Sequence, residues 1–167
     1  MPRWRIGVLA ALALSACATA GPRVEHGIFR APSMFRVAMP GPEWEVTSLP
    51  PAELALRLRG SDAGIFANAE CGDEPARRDV SVLARRLFVG LRDRQVIENG
   101  TATLDGAPAV HLVMEAEVSG REGRMRVEAY VLKDARCVYD VVYAASPETF
   151  TAQRPAFQRF LESFVRE

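Results

Sequence analysis

An α+β fold, an antiparallel sheet covered by two main helices, is predicted by three observations. Several stretches alternate apolar and polar residues, two others carry apolar residues at helical spacing, and the order of elements is strands, helix, strands, helix. That order leaves no run of strand–helix–strand crossovers of the nucleotide-binding kind, and the pattern accommodates about six to eight strands.

The first pairing signal lies around Pro40-Gly41-Pro42, where Met34 to Ala38 and Glu43 to Ser48 read as short strands and Trp44 as a core or turn-packing aromatic. Pro50-Pro51 ends them. Leu54, Leu56 and Leu58 then alternate with Glu53, Ala55, Arg57 and Arg59, a half-buried strand that turns at Ser61-Asp62-Ala63-Gly64 into Ile65 to Cys71. Val80, Leu83, Ala84, Leu87, Phe88 and Leu91 follow at helical spacing, with Asp79 placed to cap and Arg85, Arg86 and Arg92 off the stripe.

From Ala109 to Ala144 the alternation is longest. With Ser119 to Arg124 as a turn, Val118 would face Met125, Ala116 would face Val127, and Glu117 would face Arg126. A second turn at Asp134-Ala135 would set Val131 against Val138, Tyr130 against Tyr139 and Leu132 against Cys137, giving a three-strand meander. Phe157, Phe160, Leu161 and Phe164 form a terminal helical stripe, and Ser146-Pro147 and Arg154-Pro155 predict a separate short turn of helix before it.

The chain has 167 residues, 49% of them hydrophobic and 25% charged, with 21 Lys and Arg balancing 21 Asp and Glu. These values describe one ordinary globular domain and exclude a disordered chain, a coiled coil or collagen. A zero formal charge with no basic block also argues against nucleic acid as a partner, because phosphate binding needs a cationic surface.

The first residues carry an address. Met1 to Arg5 holds two arginines and no acid, Ile6 to Leu14 is apolar, and Leu14-Ser15-Ala16-Cys17 follows at once, the three-part layout of an export signal. The apolar run is about half the ~20 residues a spanning helix needs. Leu14-Ser15-Ala16-Cys17 resembles the lipobox of bacterial lipoproteins. The resemblance implies a signal peptide over 1–16, a lipidated Cys17 with a tether over 17–26, and a single domain over 27–167. Three acyl chains make a lasting membrane anchor where one, at ~0.8 kcal/mol per buried CH₂, is marginal. Ala18 is not the Asp that retains enteric lipoproteins in the inner membrane, so the expected site is the outer membrane, facing the periplasm. The alternative is cleavage after Ala18-Thr19-Ala20, which would release a soluble periplasmic protein.

If Cys17 takes lipid, Cys71 and Cys137 remain, an even number in an oxidising compartment, and a disulfide is the simplest assignment. Metal binding with His26 and His111 competes, but no C-x-x-C or H-x-x-x-H spacing pre-assembles ligands. No metal site or cofactor is expected.

Pro40 to Trp44, the Leu104-Asp105-Gly106-Ala107-Pro108 turn, Tyr139 to Tyr143, and the closing Phe160-Leu161-Glu162-Ser163-Phe164 resemble the PsbP-like group of small α+β domains. The resemblance covers most of the mature chain. It implies an accessory, assembly or binding role and carries no shared catalytic residues.

Signatures of hydrolase nucleophiles, P-loops, dinucleotide turns, zinc proteases and EF-hands are absent. His111 reads as a half-buried strand histidine. One constellation stands out: Glu115, Glu117, Arg126, Glu128, Tyr130, Tyr139 and Tyr143 share a predicted sheet face that could bind a cation or polar ligand, or could be a solvated face with cross-strand ion pairs. Asp140 shares its face with Val138 and Val142, so it is either buried with a partner and a perturbed pKa or past the core edge. The favoured reading is a non-enzymatic envelope lipoprotein that meets the membrane through its anchor and binds a protein or glycan partner. The alternative is a periplasmic small-ligand or cation binder using the Glu and Tyr face.

Overall fold

The computed structural model describes residues 24–32, 34–73 and 77–167. The signal segment, Cys17 and the tether as far as residue 23 lie outside these residues. The α+β class holds, with two antiparallel sheets where a single one was expected. The smaller has the order β1-β2-β3-β11, from Val24–Glu25, Ile28–Ala31, Phe35–Ala38 and Val165–Arg166. The larger has seven strands in the order β4-β5-β6-β10-β9-β8-β7. These are β4 Trp44–Thr47, β5 Leu54–Leu58, β6 Gly64–Cys71, β7 Arg92–Leu104, β8 Ala107–Glu117, β9 Arg124–Lys133 and β10 Cys137–Ala145. Helix α1 spans Val80–Arg86 and α2 spans Pro147–Glu162.

The tether was expected to run to His26, yet Val24 and Glu25 already pair with Phe29 and Ile28. His26 and Gly27, both at positive φ, make the turn between them. Trp44 is buried in the main core, as its position suggested.

Both faces of the large sheet are covered. On one, α2 and the small sheet bury Phe150, Phe157, Phe160 and Phe164 against Val113, Leu132, Tyr139, Val141 and Tyr143. On the other, α1 and the turn after it lay Ala84 and Phe88 over Leu112, Met114, Ala129, Val131, Val138 and Val142. Asp79 caps α1 by accepting from the backbone N–H groups of Ser81 and Val82. The helix is shorter than its apolar stripe, because tight turns carry the chain from Leu87 to Leu91, and positive-φ Gly90 lies within them.

Both meander registers differ from expectation by two residues. Glu115 faces Arg126 and Ala116 faces Met125, while Val138 faces Lys133 and Val141 faces Tyr130. A two-residue slip keeps every side chain on its face, so the apolar matching survives it. The turn chemistry decides the register. Asp134 closes the β9–β10 turn with its N–H to the Cys137 carbonyl, and its carboxylate accepts from Arg136 and Cys137 N–H groups. Ala135 and Arg136, not Asp134 and Ala135, are therefore the turn's central pair.

One further expectation fails, and one element went unread. Arg154-Pro155 does not divide the terminal helix, since α2 runs unbroken through Pro155. Pro155 is exposed, so the carbonyl it leaves unpaired can turn to water, while Phe150 and Phe157 hold the flanking turns in the core. Strand β7 has no counterpart in the sequence reading. Ten consecutive residues from its start are exposed, so it shows no alternation, and it pairs with β8 across two register shifts. Asp105 and Gly106, both at positive φ, form the turn of the β7–β8 hairpin itself. Arg166 donates to that turn from its backbone N–H at 3.1 Å and from Nε at 2.9 Å, both to the Asp105 carboxylate.

Candidate functional site

Strand alternation places Glu115, Glu117, Arg126, Glu128, Tyr130, Tyr139 and Tyr143 on one face of the sheet, as predicted, but that face is the one beneath α2. They do not form one open surface. Tyr139 and Tyr143 are buried core residues. The Tyr139 hydroxyl donates to Asp134 at 3.0 Å, and that of Tyr143 lies 3.2 Å from the Phe150 carbonyl. Tyr139 meets Phe164 edge-on, and Tyr143 stacks between Phe150 and Phe157. Burial, and then the neighbouring Asp134 carboxylate, push the Tyr139 hydroxyl up to about 12. Tyr143 is raised as well, first by burial.

At the rim, Glu115 is held by Arg126, whose guanidinium also lies 5.4 Å from the centre of the Phe150 ring. Arg124 bonds Asp93 and approaches Glu115 at 3.7 Å. Glu117 is exposed and faces Arg124 in register.

Glu128 occupies the centre of the constellation, with its side chain wholly out of contact with solvent. Four donors reach its two oxygens. His111 Nε2 lies 2.9 Å away, Arg154 donates from Nε and Nη2 at 2.9 Å each, and the Tyr130 hydroxyl donates at 3.2 Å. Burial alone would raise the Glu128 carboxyl, but the bonds from His111 and Arg154 outweigh it and hold the group below the ordinary value. An ionised carboxylate only accepts, so Nε2 of His111 carries a proton and Nδ1 is left facing Glu98 at 3.8 Å. The His111 ring stacks on Tyr130 with centroids 4.5 Å apart. Tyr130 is pushed up to about 12, by burial and then by the Glu128 charge, so its hydroxyl stays protonated at neutral pH.

This arrangement fastens α2 to strands β8 and β9. The Glu128 oxygens are occupied by protein donors, the state of an anchoring ion pair and not of a carboxylate waiting for substrate. Glu128 and Tyr130 were singled out from the sequence, whereas His111 was read as an ordinary strand residue and Arg154 only as a helix breaker with Pro155. A cavity of about 210 Å³ adjoins the cluster, lined by Thr103, Asp105, Tyr130, Gln158 and Glu162. Among the described residues, no group of three or more His, Cys, Asp or Glu has the geometry to hold a metal ion.

Asp140 lies on the opposite face, half-buried beside Val138 and Val142 and across from Asn68. Burial, then the charge of Glu70, push its carboxyl up to about 6. Cys71 and Cys137 are direct partners in the β6–β10 register and form a disulfide.

Among the described residues, the two sheets with α1 and α2 form a domain of the PsbP-like fold. The chain is similar to the solution structure of cyanobacterial PsbP (CyanoP) from Synechocystis, with a TM-score of 0.58 and 10% identity over 92% of this chain and 99% of that one. It is also similar to LpqN of Mycobacterium tuberculosis, described as involved in cell envelope biogenesis, with a TM-score of 0.57 and 17% identity over 87% and 89% of the two chains. A crystal structure from Bacteroides thetaiotaomicron gives a TM-score of 0.62 at 6% identity over 84% of this chain, which spans about half, 48%, of that protein. At these identities the likeness is one of fold. No family model matches the sequence, and no curated protein matches it.

Proposed function

We propose that this chain is a non-enzymatic accessory module of the bacterial cell envelope. In this reading acyl chains on Cys17 hold it at the outer membrane, facing the periplasm, and its PsbP-like domain meets a protein or glycan partner. The observation that carries the reading is the Cys71–Cys137 disulfide between neighbouring strands, because such bonds persist in exported proteins and are rare in a reducing cytosol. The lipobox-like Leu14-Ser15-Ala16-Cys17 supplies the address, and the fold shared with LpqN supports an envelope setting. Among the described residues no helix is long and apolar enough to cross a membrane, so the anchor in this reading is the lipid itself.

Intact-protein mass spectrometry of material purified from membranes tests the proposal. The expected chain begins at Cys17, carries the added mass of acyl groups, and leaves Cys71 and Cys137 closed to alkylation until reductant is added. A full-length chain recovered from the cytosol with free thiols refutes it. The partner is tested separately, by crosslinking in envelope membranes followed by affinity purification, and repeated recovery of the chain alone removes that part.

A second reading, a periplasmic binder of a polar small ligand or cation, is favoured by the cavity of about 210 Å³ beside Tyr130, whose lining includes Asp105, Gln158 and Glu162. A thermal-shift panel of metal ions and polar metabolites tests it. Unfolding temperatures that stay unchanged across the panel remove this reading.

A further inference from the structure

The outward face of α1 and the turn after it carry a pattern that the fold does not use. The inward residues Ala84 and Phe88 are buried against the sheet, while Val82, Arg85, Arg86 and Val89 are exposed. These four recur at helical spacing, and bonds from Phe88 N–H to the Arg85 carbonyl and from Val89 N–H to the Arg86 carbonyl continue the coil past the end of the helix. Val89 is 76% exposed, the most open of the large hydrophobic side chains among the described residues. Exposed Arg92 and Arg94 follow at the start of β7, and Val96, also on that strand, is 56% exposed.

The acids near this surface do not cancel it. Asp93 is taken by Arg124, Glu117 and Arg92 face each other on the α2 side of the sheet, and Asp79 at the start of α1 reaches Arg85 only through the Ser81 hydroxyl, which leaves Arg86 and Arg94 in excess. The chain as a whole has a formal charge of zero, so this excess is local.

We propose that this valine and arginine surface lies against an anionic lipid bilayer, with Val82 and Val89 entering the headgroup region and the arginines pairing with lipid phosphates. Its composition favours a bilayer over a protein. Protein-binding patches centre on aromatic anchors, and the large exposed hydrophobic residues here are the aliphatic Val82, Val89, Val96 and Ile97. Single aliphatic side chains flanked by long cationic ones suit an interface that is apolar below and phosphate-rich above. Each arginine near an anionic leaflet is worth about fivefold in partition. The contact does not require acylation at Cys17.

The test uses the chain as purified from membranes, carrying Val89→Cys labelled with an environment-sensitive fluorophore and reconstituted with vesicles of phosphatidylglycerol or of phosphatidylcholine. Position 49, labelled through Leu49→Cys in the loop between β4 and β5, serves as the control. The expected result is a blue-shifted probe at position 89, quenched by lipid-borne nitroxides, in phosphatidylglycerol only, with the probe at position 49 aqueous in both. Adding Arg85→Gln and Arg86→Gln lowers the phosphatidylglycerol response by roughly 25-fold in lipid concentration. These positions are exposed, and an unchanged circular dichroism spectrum shows that the variants fold. If the chain proves unacylated, it is added to preformed vesicles and the same probe is read, so failure of the anchor and failure of the patch are separable. An aqueous probe at position 89 in phosphatidylglycerol, or an equal shift in phosphatidylcholine, overturns the proposal and leaves the surface to an acidic protein.

Discussion

The two faces of the seven-stranded sheet solve the same burial problem with different chemistry. Beneath α1 the contact is mostly aliphatic around Phe66 and Phe88, and the half-buried Asp140 there has no cationic partner among the described residues and a raised pKa. Beneath α2 the contact is aromatic, and its buried carboxylate, Glu128, is saturated by His111, Tyr130 and Arg154. A buried charge is tolerable where donors converge on it and costly where none do. The α2 face is therefore fixed by a buried ion-pair network as well as by area, whereas the α1 side relies on area together with a bond from Lys133 Nζ to the Arg78 carbonyl at 2.8 Å.

The comparison can be broken at the disulfide, which belongs to the α2-side core. Its closed loop spans a sequence separation of 66 residues, and opening it through Cys71→Ala with Cys137→Ala costs about 4 kcal/mol in chain entropy. Denaturant titration should show a matching drop in midpoint. Next in size is Arg154→Leu, which leaves the Glu128 carboxylate buried with fewer donors and costs about 3 kcal/mol near neutral pH. The same titrations at several pH values sharpen this point. The Glu128 carboxyl is depressed in the fold, so its contribution is present above the ordinary carboxylate value of 4.5 and is lost as pH falls through the lower folded value. Arg154→Leu should cost least at the acid end.

Asp140→Asn should act with the opposite sign. A carboxyl raised from 3.8 to about 6 favours the folded state while protonated and penalises it once ionised. The variant is expected to stabilise the protein by about 1–3 kcal/mol above pH 6, with the gain fading to nothing below about pH 4. An equal gain at both ends would show that the Asp140 charge is not the cause. The smallest effect belongs to Asp79→Ala, which removes the α1 cap. Amide exchange should quicken in α1 while α2 stays protected.

How far the sequence could be read follows from how local each signal is. The period of two in Leu54 to Leu58 and in Ala109 to Val118, and the stripe through Phe157, Phe160 and Phe164, mark elements without reference to the rest of the chain. Strand β7 was illegible because it lies exposed at a sheet edge, where no burial selects an alternating pattern. The Glu128 cluster was half legible. Glu128 and Tyr130 lie two residues apart on one strand, but His111 and Arg154 reach them from 17 and 26 residues away on other elements. The predicted polar face was correct in its membership and misread in its setting, since nothing local says whether a face of glutamates and tyrosines looks at water or at a helix.

The sequence by itself determined the α+β class, the strand faces, the cap of α1, the aromatic stripe of α2 and the pairing of Cys71 with Cys137, because each rests on side-chain period, cap chemistry or cysteine count. Only the tertiary structure decided the division into two sheets, the two-residue register of both hairpins and the burial of the Glu128 network. Those depend on which turn closes best and on what covers each face, and both are settled by contacts between residues far apart along the chain.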